Sequence, residues 1–445
     1  MKRYIKIPLA FGLLVACFNL NAQEQPLSQK EVVERVLKGN RTLLVSRLEN
    51  NKAVTAVKMA QSLQKPTVSA TGQYLFFAER PVIFLRDGGA SPKVNDVEVG
   101  GRNSLAAAIT ANYPIINPVL KNSINKAMVE ATIQKEKTAD VEKNLVLQAL
   151  QIYLTTVLYE EQKVLLQQSL SRNEQALKDS RALLLQGKGL KTDTLRNYIA
   201  TQNLQAGISS LQSQIEVQLL QLKQLTGLSD EQVIQLTDRL EDSPESVPFT
   251  RDSLTAQAQK FREDLRIQKL IVEDNALRLK TARADYKPHL SAIAQYGVQA
   301  QSDKATFWNY AYPRTSFVGL QLAVPIYSGG RARLKTTQIN YELQQSQVAL
   351  EELKSRVSTE LAAIQADLAE AHRQRDIQSK NVEAAQVNYE MVKDRYQYGL
   401  SNRLELIDAE LALTQAKIKQ VESLYTIKMT ELQLQKAAGL LMPDK

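Results

Sequence analysis

The sequence is poor in the residues on which most enzymes, metal sites and disulfide-stabilised domains depend. It has a single cysteine, two histidines and 17 glycines among 445 residues, and aromatic residues make up 6%. The two histidines, His289 and His372, stand in unrelated contexts, so no metal-binding cluster is expected. The sequence has no Gly-rich phosphate loop and no G-x-S-x-G motif. We therefore predict a protein that is not an enzyme and that uses no cofactor.

Long apolar runs are also missing, except at the N-terminus. Residues 1–6 are basic, residues 7–20 are apolar, and Ala22 precedes a polar segment. This pattern predicts a signal peptide over 1–22, because the apolar run is too short for a membrane-spanning helix. Lipidation of Cys17 is an alternative, since residues 14–17 resemble a lipoprotein-processing motif. We expect an exported protein without an α-helical span.

The charge distribution does not favour a nucleic-acid partner. The formal net charge is +9, but lysines and arginines alternate with glutamates and aspartates along the chain. This mixture is typical of solvated helix faces. We predict that the protein binds no nucleic acid.

The sequence does contain a long internal repeat. Residues 65–70 (KPTVSA) return as residues 287–292 (KPHLSA), and Gly187 and Gly227 return as Gly399 and Gly439. The repeat period of roughly 210–220 residues is too long for a solenoid unit. It indicates a duplicated half, each copy running helix, two strands, very long helix, tight turn and returning helix.

Each copy has two segments in which apolar side chains alternate with small or polar ones. The four segments are about 68–76, 103–115, 290–299 and 318–324. Such alternation is typical of transmembrane β-strands, although a half-buried hairpin of a soluble sheet shows it too. We expect residues 78–102 to form a loop. The aromatic residues expected to form a girdle at a membrane interface are Phe307, Trp308, Tyr310 and Tyr312.

After each strand pair comes a long stretch without glycine or proline. These stretches lie between Pro118 and Gly187 and between Gly330 and Gly399. As α-helices of about 70 residues each, they would be roughly 100 Å long, and their apolar residues recur at the spacing of coiled-coil packing. Helices this long need neighbours along their whole length. The shorter predicted helices that supply them are 27–63, with a break at Gly39–Asn40, and 192–226, 252–285 and 402–438.

These patterns predict the domain organisation. It comprises a signal peptide (1–22), a first structural repeat (23–227, β-hairpin about 66–116), an acidic connector (228–250), a second repeat (251–439, β-hairpin about 288–327) and a C-terminal tail (440–445). The connector contains prolines and has no match in the first copy, and we expect it to form a small lateral domain near the middle of the helices.

Three motifs in this order resemble the TolC-like outer-membrane efflux family. Residues 27–40 are similar to the family's first helix, residues 324–330 (VPIYSGG) to its strand-to-helix corner, and residues 396–409 to its helix-turn tip. The resemblance implies an α+β membrane protein: long antiparallel coiled-coil helices form a periplasmic α-barrel, and four transmembrane β-strands per chain complete a 12-stranded barrel in a trimer. The strand-to-helix corners would be Pro114, Pro118, Pro325, Gly329 and Gly330, and the tip turns Gly187 and Gly399.

The resemblance also implies a function. Family members are exit ducts of tripartite efflux pumps or type I secretion systems, located in the outer membrane with helices that extend into the periplasm. The implied partners are two further copies of the chain, outer-membrane lipid, a periplasmic adaptor (membrane fusion protein) and an inner-membrane pump. The alternative from another class is a periplasmic coiled-coil adaptor or structural stalk without a pore, for which two amphipathic hairpins are not expected.

The resemblance implies a periplasmic gate at the tip as well. Tyr396, Glu405 and Asp408 match the family's tyrosine and carboxylate positions, and Asp193 lies six residues after Gly187 as Glu405 does after Gly399. Rings of these acids around a threefold axis would bind cations. Alternatively, the acids are solvated residues at helix starts, where the helix dipole favours them. Ser401 replaces the family's arginine, and Arg403 stands nearby but out of register.

Overall fold

The computed structural model describes residues 25–86, 94–241, 250–305 and 311–441. Several predicted features lie outside the described residues: the signal peptide with Cys17, the girdle residues Phe307, Trp308 and Tyr310, and residues 442–445 of the tail. Tyr312, the fourth girdle residue, is described and exposed.

Helices dominate the described residues. They are α1 Gln29–Gly39, α2 Arg41–Ser62, α3 Pro118–Leu185, α4 Lys191–Thr226, α5 Arg251–Phe261, α6 Glu263–Ala284, α7 Arg331–Gln397 and α8 Arg403–Ala437. The two long ones, α3 and α7, have 68 and 67 residues, which corresponds to roughly 100 Å each. None of these helices combines the length and apolar character needed to cross a bilayer.

Local chemistry explains where the long helices begin and end. The Asn117 side chain accepts a hydrogen bond from Leu120 N at 3.1 Å, and Pro118 occupies the first turn of α3, where a proline's missing N–H costs little. The interior of α3 then contains no glycine or proline up to the turn at Gly187. A helix without a breaker continues as long as neighbours cover its apolar face.

Four strands form one antiparallel sheet in the order β2-β5-β7-β8. They are β2 Thr67–Phe76, β5 Asn103–Ile116, β7 His289–Ser302 and β8 Arg314–Ala323. Each predicted hairpin is present, and β5 pairs with β7 to join the two repeats. Strands β2 and β8 are the two edges of this sheet within the described residues.

Two expectations from the sequence were wrong. The predicted loop 78–102 contains a further hairpin, in which β3 Val82–Arg86 pairs with β4 Val94–Glu98. The turn-forming residues around these two short strands had led to the prediction of a loop. Pro114 is not a corner but lies inside β5, where the register shifts between Pro114 and Ile116. An irregularity of this kind lets a strand hold a residue that cannot donate a ladder hydrogen bond.

The duplication is visible in the core. One apolar cluster contains Val32, Val36, Leu43, Leu145 and Ala149. Their counterparts at the repeat spacing, which form a second cluster, are Leu254, Ala258, Leu265, Val357 and Leu361. The same spacing therefore places the same packing positions in both halves.

Both entering helices break at matched positions. At the predicted break, Asn40 caps α2 and donates from Nδ2 to Leu225 O at 3.0 Å. In the second repeat, Arg262 interrupts the helix and donates from Nη1 to Ala437 O at 3.2 Å. Each break thus anchors to the last turn of its returning helix. The second break was not predicted, because an arginine is no helix-breaking signal.

The described part of the connector packs against the middle of α3. Its strand β6 Ile234–Leu236 pairs in parallel with β1 Gln25–Leu27. Tyr153 of α3 is fully buried, with its hydroxyl 3.0 Å from Leu27 O and 3.0 Å from Asp238 Oδ2. Burial raises the pKa of Tyr153 to about 12. This tyrosine therefore joins the chain's start and the connector to the long helix.

Candidate functional site

The two helical hairpins end in similar turns. Gly187 follows α3 with φ +71°, and Gly399 follows α7 with φ +73°. Lys188 N donates to Leu183 O at 2.9 Å, and Leu400 N donates to Arg395 O at 2.8 Å, so each turn closes its helix with a left-handed glycine cap. Because α3 and α7 leave the same sheet and have nearly equal length, the turns lie at the same end of the molecule. We call this end the tip.

Two of the three predicted gate acids, Asp193 and Glu405, are engaged by their own helix start. Asp193 lies in the first turn of α4, 3.8 Å from Arg196 Nη1. Glu405 lies in the first turn of α8, accepts from Asn402 Nδ2 at 2.9 Å and also accepts from Ser401 Oγ. Asp408 is exposed one turn further along. Asp193 and Glu405 therefore stabilise helix N-termini in the single chain.

Tyr396 contacts the arginine that stands out of register with the family's tip motif. The Arg403 guanidinium lies 5.8 Å from the centre of the Tyr396 ring, and its Nε donates to Asn197 Oδ1 at 2.9 Å. Asn197, which is fully buried, donates in turn to Ala176 O and Ser180 Oγ, both at 3.1 Å. Arg403 therefore ties α7 and α8 to α3 and α4.

A second link between the hairpins is centred on Glu410. This carboxylate is 5% exposed. It accepts hydrogen bonds from Arg172 Nε at 2.9 Å, Asn173 Nδ2 at 3.0 Å and Ser169 Oγ at 3.3 Å. Burial, and then the charge of Glu410, raise the pKa of nearby Tyr389. We call Glu410 and its three partners on α3 the Glu410 cluster.

A cleft of about 420 Å³ opens beside the Glu410 cluster, between α4 and α8. Its lining combines the polar atoms of the cluster with apolar side chains, including Ile199, Leu404 and Leu411. Among the described residues, no group of histidine, cysteine and carboxylate side chains could hold a metal ion.

Comparison with known proteins identifies this architecture. The Outer membrane efflux protein family matches residues 254–440. The alkaline protease secretion protein AprF of Pseudomonas aeruginosa is 23% identical over 348 residues, covering 76% of this chain and 70% of that protein. The outer membrane efflux protein BepC of Brucella suis is 19% identical over 327 residues, covering 73% and 70%. The crystal structure of CusC matches with a TM-score of 0.75 at 18% identity over 92% of both chains.

The second half of the chain thus matches the Outer membrane efflux protein family, and the fold of the whole chain is that of TolC-like outer-membrane channels. This family consists of channel proteins rather than enzymes. The four-stranded sheet is accordingly the part in the outer membrane, and the helices extend into the periplasm. The tip is their far end, roughly 100 Å from the strands.

The sequence did not predict the role of three residues that join the hairpins at this tip, although Arg403 was noted as standing close to the family's arginine position. Asn197, Arg403 and Glu410 are all buried, although two of them carry a full charge. Two charged residues among many on a long helix give no signal of their own. A useful signal would have been their position on the helix stripe that also carries the buried Leu406 and Leu413.

Proposed function

We propose that three copies of this chain assemble into one channel that serves as the exit duct of a tripartite efflux pump or a type I secretion system. An inner-membrane pump delivers the cargo, and a periplasmic adaptor joins the pump to the tip. The cargo then passes through the helical tunnel and the shared barrel to the exterior.

The two open edges of the sheet support assembly between copies. Strands β2 and β8 are each ten residues long and exposed throughout. In lipid, the N–H and C=O groups of an open edge have no water to pair with. Four strands are too few to close a barrel by themselves, whereas the twelve strands of three copies can close. A pore-free periplasmic stalk would have no use for such a sheet.

The names of the relatives support both kinds of cargo. AprF is a protease secretion protein and BepC is an efflux protein. The duct supplies a passage that either kind of cargo can use. We assign the choice of cargo to the pump, because polar β-strand faces such as Gln295, Gln299 and Gln321 offer little chemical selectivity.

The gate of this duct is at the tip. In the trimer, three copies each of Asp193, Glu405 and Asp408 surround one axis, and Tyr396 with Arg403 holds the neighbouring helices together. Carboxylate rings favour cations and repel anions. The helix-start contacts of Asp193 and Glu405 hold these acids in place without neutralising the whole ring.

Processing at the N-terminus adds a second membrane contact in one of two cases. Cleavage after Ala22 leaves Gln23 as the first residue, whereas lipidation of Cys17 would anchor the chain in the membrane. Mass spectrometry of the membrane-extracted protein distinguishes the two forms by the mass of the acyl chains.

The experiment for the duct uses the full chain extracted from outer membranes in detergent. We expect a trimer in analytical ultracentrifugation and discrete conductance steps in planar lipid bilayers. A monomer without conductance, or recovery of the protein in the periplasmic wash, would contradict the proposal and favour the stalk.

A further inference from the structure

The four junctions between the sheet and the helices lie at one end of the sheet. Strand β2 begins at Thr67, and its partner β5 ends at Ile116, just before α3. His289, the first residue of β7, pairs with Ala323, the last residue of β8, and the start of β7 also pairs with the end of β5. The register therefore brings the last turns of α2 and α6 and the first turns of α3 and α7 to one level. We call this band the collar and define it as residues 57–66, 117–126, 278–288 and 324–335.

The collar holds the excess positive charge of the whole chain. It contains eleven lysines and arginines but one acid, Asp285. Subtracting these from the 56 basic and 47 acidic residues of the chain leaves 45 basic and 46 acidic residues. Outside the collar the two signs are therefore balanced, and the formal net charge of +9 arises where the strands meet the helices.

Most of these basic side chains are not neutralised by the chain itself. Three of the eleven form ion pairs, which are Lys126–Glu130, Arg278–Glu342 and Lys335–Asp285. The other eight of the eleven are exposed and have no ion pair with an acid in the part of the chain that the structure describes. Because a cluster of one sign attracts partners of the opposite sign, the collar should attract anions.

Helix stability does not explain the basic residues at the helix starts. Helices α3 and α7 begin in the collar, and neither has an acid in its first turn. Arg331 and Arg333 are the first and third residues of α7, although the dipole at a helix start favours negative charge. At the tip, by contrast, α4 and α8 have Asp193 and Glu405 in their first turns. The positive charge at the start of α7 therefore requires a cause outside its own helix.

Exposed apolar side chains lie between the sheet and the basic residues. Each strand-to-helix corner has two of them, Ile115 with Ile116 in the first repeat and Ile326 with Tyr327 in the second. Ile326 is 95% exposed and Tyr327 is 88% exposed, and Arg331 follows four residues later. From β8 to α7 the order is therefore apolar, then aromatic, then cationic. A membrane interface has the same order, with acyl chains, then the zone that tyrosine prefers, then the charged head groups.

The strand alternation indicates that the second corner continues the lipid side of the sheet. Leu322 of β8 pairs with Leu290 of β7, and directly paired residues share one face of a sheet. Val324 and Ile326 continue the alternation of Leu322 beyond the end of β8. A transmembrane strand turns its apolar face to lipid and its polar face to the lumen. The corner therefore leads to the collar along the lipid side.

We propose that the collar binds the phosphate groups of anionic phospholipids at the periplasmic surface of the outer membrane. The sheet lies in that membrane and the helices extend into the periplasm, so the collar lies at the level of the lipid head groups. Guanidinium and ammonium groups bind phosphate through charge-assisted hydrogen bonds, and each basic residue next to a membrane adds to the attraction for anionic lipid. The inference goes beyond the exit duct, because it depends on the position of the sheet in the membrane and not on the cargo.

Spin-labelled lipids test the collar in the full chain. The protein is reconstituted into phosphatidylcholine vesicles that contain a trace of spin-labelled phosphatidylglycerol or spin-labelled phosphatidylcholine. Electron spin resonance then measures the fraction of each label that the protein immobilises. One test variant combines Arg331→Gln with Arg333→Gln, and the other combines Lys65→Gln with Lys287→Gln, the two lysines of the repeated KP motif.

Two further variants serve as controls. Lys380→Gln with Lys393→Gln removes two exposed charges from α7 far from the sheet, so the net charge falls by the same amount as in each test variant. Arg331→Lys with Arg333→Lys keeps the charge at the start of α7 and should behave like the native chain. Inorganic phosphate, exchanged for chloride at constant ionic strength, distinguishes a site for free phosphate from a site for lipid.

We expect the native chain to immobilise phosphatidylglycerol several-fold more strongly than phosphatidylcholine, and added salt to reduce this preference. Each test variant should lower the preference, by up to about fivefold for each charge removed, whereas both controls should match the native chain. The proposal is wrong if the native chain shows no preference, or if the Lys380 and Lys393 control loses as much of it as the test variants. Loss of the preference in inorganic phosphate would also overturn the proposal in favour of free phosphate.

Reversal potentials of the same variants in planar bilayers separate lipid contact from a position in the duct. Side chains that face lipid head groups should leave the reversal potential unchanged when they are replaced. A shifted reversal potential with an unchanged lipid preference would place the collar residues in the lumen and overturn the proposal. A protein that conducts ions without preferring phosphatidylglycerol would leave the duct standing while the collar fails, and one that prefers this lipid without conducting would do the reverse.

Discussion

Glu410 is a charged residue in a position where most helices carry leucine or alanine. It lies on α8 but takes all three of its described donors from α3. A buried carboxylate is costly unless its lone pairs are satisfied. The Glu410 cluster supplies three donors to Oε1, so the residue holds the two hairpins together close to the tip.

Replacing Glu410 by alanine should loosen the tip. Three donors on α3 would lose their acceptor, and hydrogen bonds to charged groups contribute about 1.5–3 kcal/mol each at most. Because Arg172 is partly exposed and can turn to water, we expect a net loss of roughly 2 kcal/mol of local stability. Hydrogen exchange of residues 169–173 measures it. Glu405→Ala, which removes an exposed acid from the same helix, is the matched control and should leave that segment unchanged.

Asp140 is a carboxylate in the opposite situation. Burial raises its pKa above the ordinary value of 3.8, the charges of Glu263 and Asp264 raise it further, and Lys436 and Asn144 only partly offset this. A raised folded-state pKa means that the folded chain binds the proton more tightly than the unfolded chain. Asp140 therefore favours folding most at acid pH, and this contribution is lost as pH rises through the folded-state pKa.

Asp140→Asn should consequently stabilise the protein at neutral pH. We expect a higher thermal unfolding midpoint than that of the native chain at pH 7, and a difference that disappears as the pH approaches 3.8. Scanning calorimetry of both proteins across this range is the measurement. An equal or larger advantage at acid pH would show that packing, rather than charge, causes the effect.

At the scale of elements, the tip turns depend on backbone conformation rather than on packing. An added Cβ at Gly187 or Gly399 would meet nothing within 4 Å, yet both residues have φ above +70°. The left-handed conformation costs an ordinary L-residue roughly 1–2 kcal/mol. Asparagine tolerates that region better than alanine.

A series at Gly399 separates these effects. We expect Gly399→Ala to destabilise the α7–α8 turn by roughly 1 kcal/mol and Gly399→Asn to cost less. Exchange of the Leu400 amide, which donates to Arg395 O at 2.8 Å, reports the opening of this turn. Equal effects of alanine and asparagine would mean that side-chain bulk, not φ, limits the position.

At the scale of the whole molecule, the tip acids should control which ions pass. Replacing both Glu405 and Asp408 with alanine removes two carboxylates per chain, or six per trimer, and should weaken cation selectivity. Reversal potentials of single channels across a salt gradient measure this change. Tyr396→Ala, which removes the ring that the Arg403 guanidinium contacts, should keep the selectivity but open the channel more often.

The tip variants should still form trimers, because the tip lies roughly 100 Å from the strands. Glu34→Ala, which removes an exposed acid from α1 away from the tip, is the control and should leave the reversal potential unchanged. If the tip double variant also leaves it unchanged, these acids act only as helix starters and the constriction lies elsewhere.

Much of the architecture could be predicted from local sequence. The long helices follow from long stretches without glycine or proline, the strands from alternation, and the turns from Gly187 and Gly399. Elements whose local sequence indicates a different structure, or none, were not predicted. Short strands β3 and β4 lie among turn-forming residues, and Arg262, whose guanidinium donates to the last turn of α8, carries no local signal for a helix break.

By itself, the sequence determined the lengths of the elements, their order and the duplication, because these depend on neighbours along the chain. The tertiary structure alone decided which charged side chains meet. Arg403 donates to Asn197, which is 206 residues away in the sequence, and Glu410 accepts from Asn173, which is 237 residues away. No local sequence pattern predicts such pairs. Each of these residues looks like an ordinary helix residue until the packing of one hairpin against the other buries it and supplies its partner.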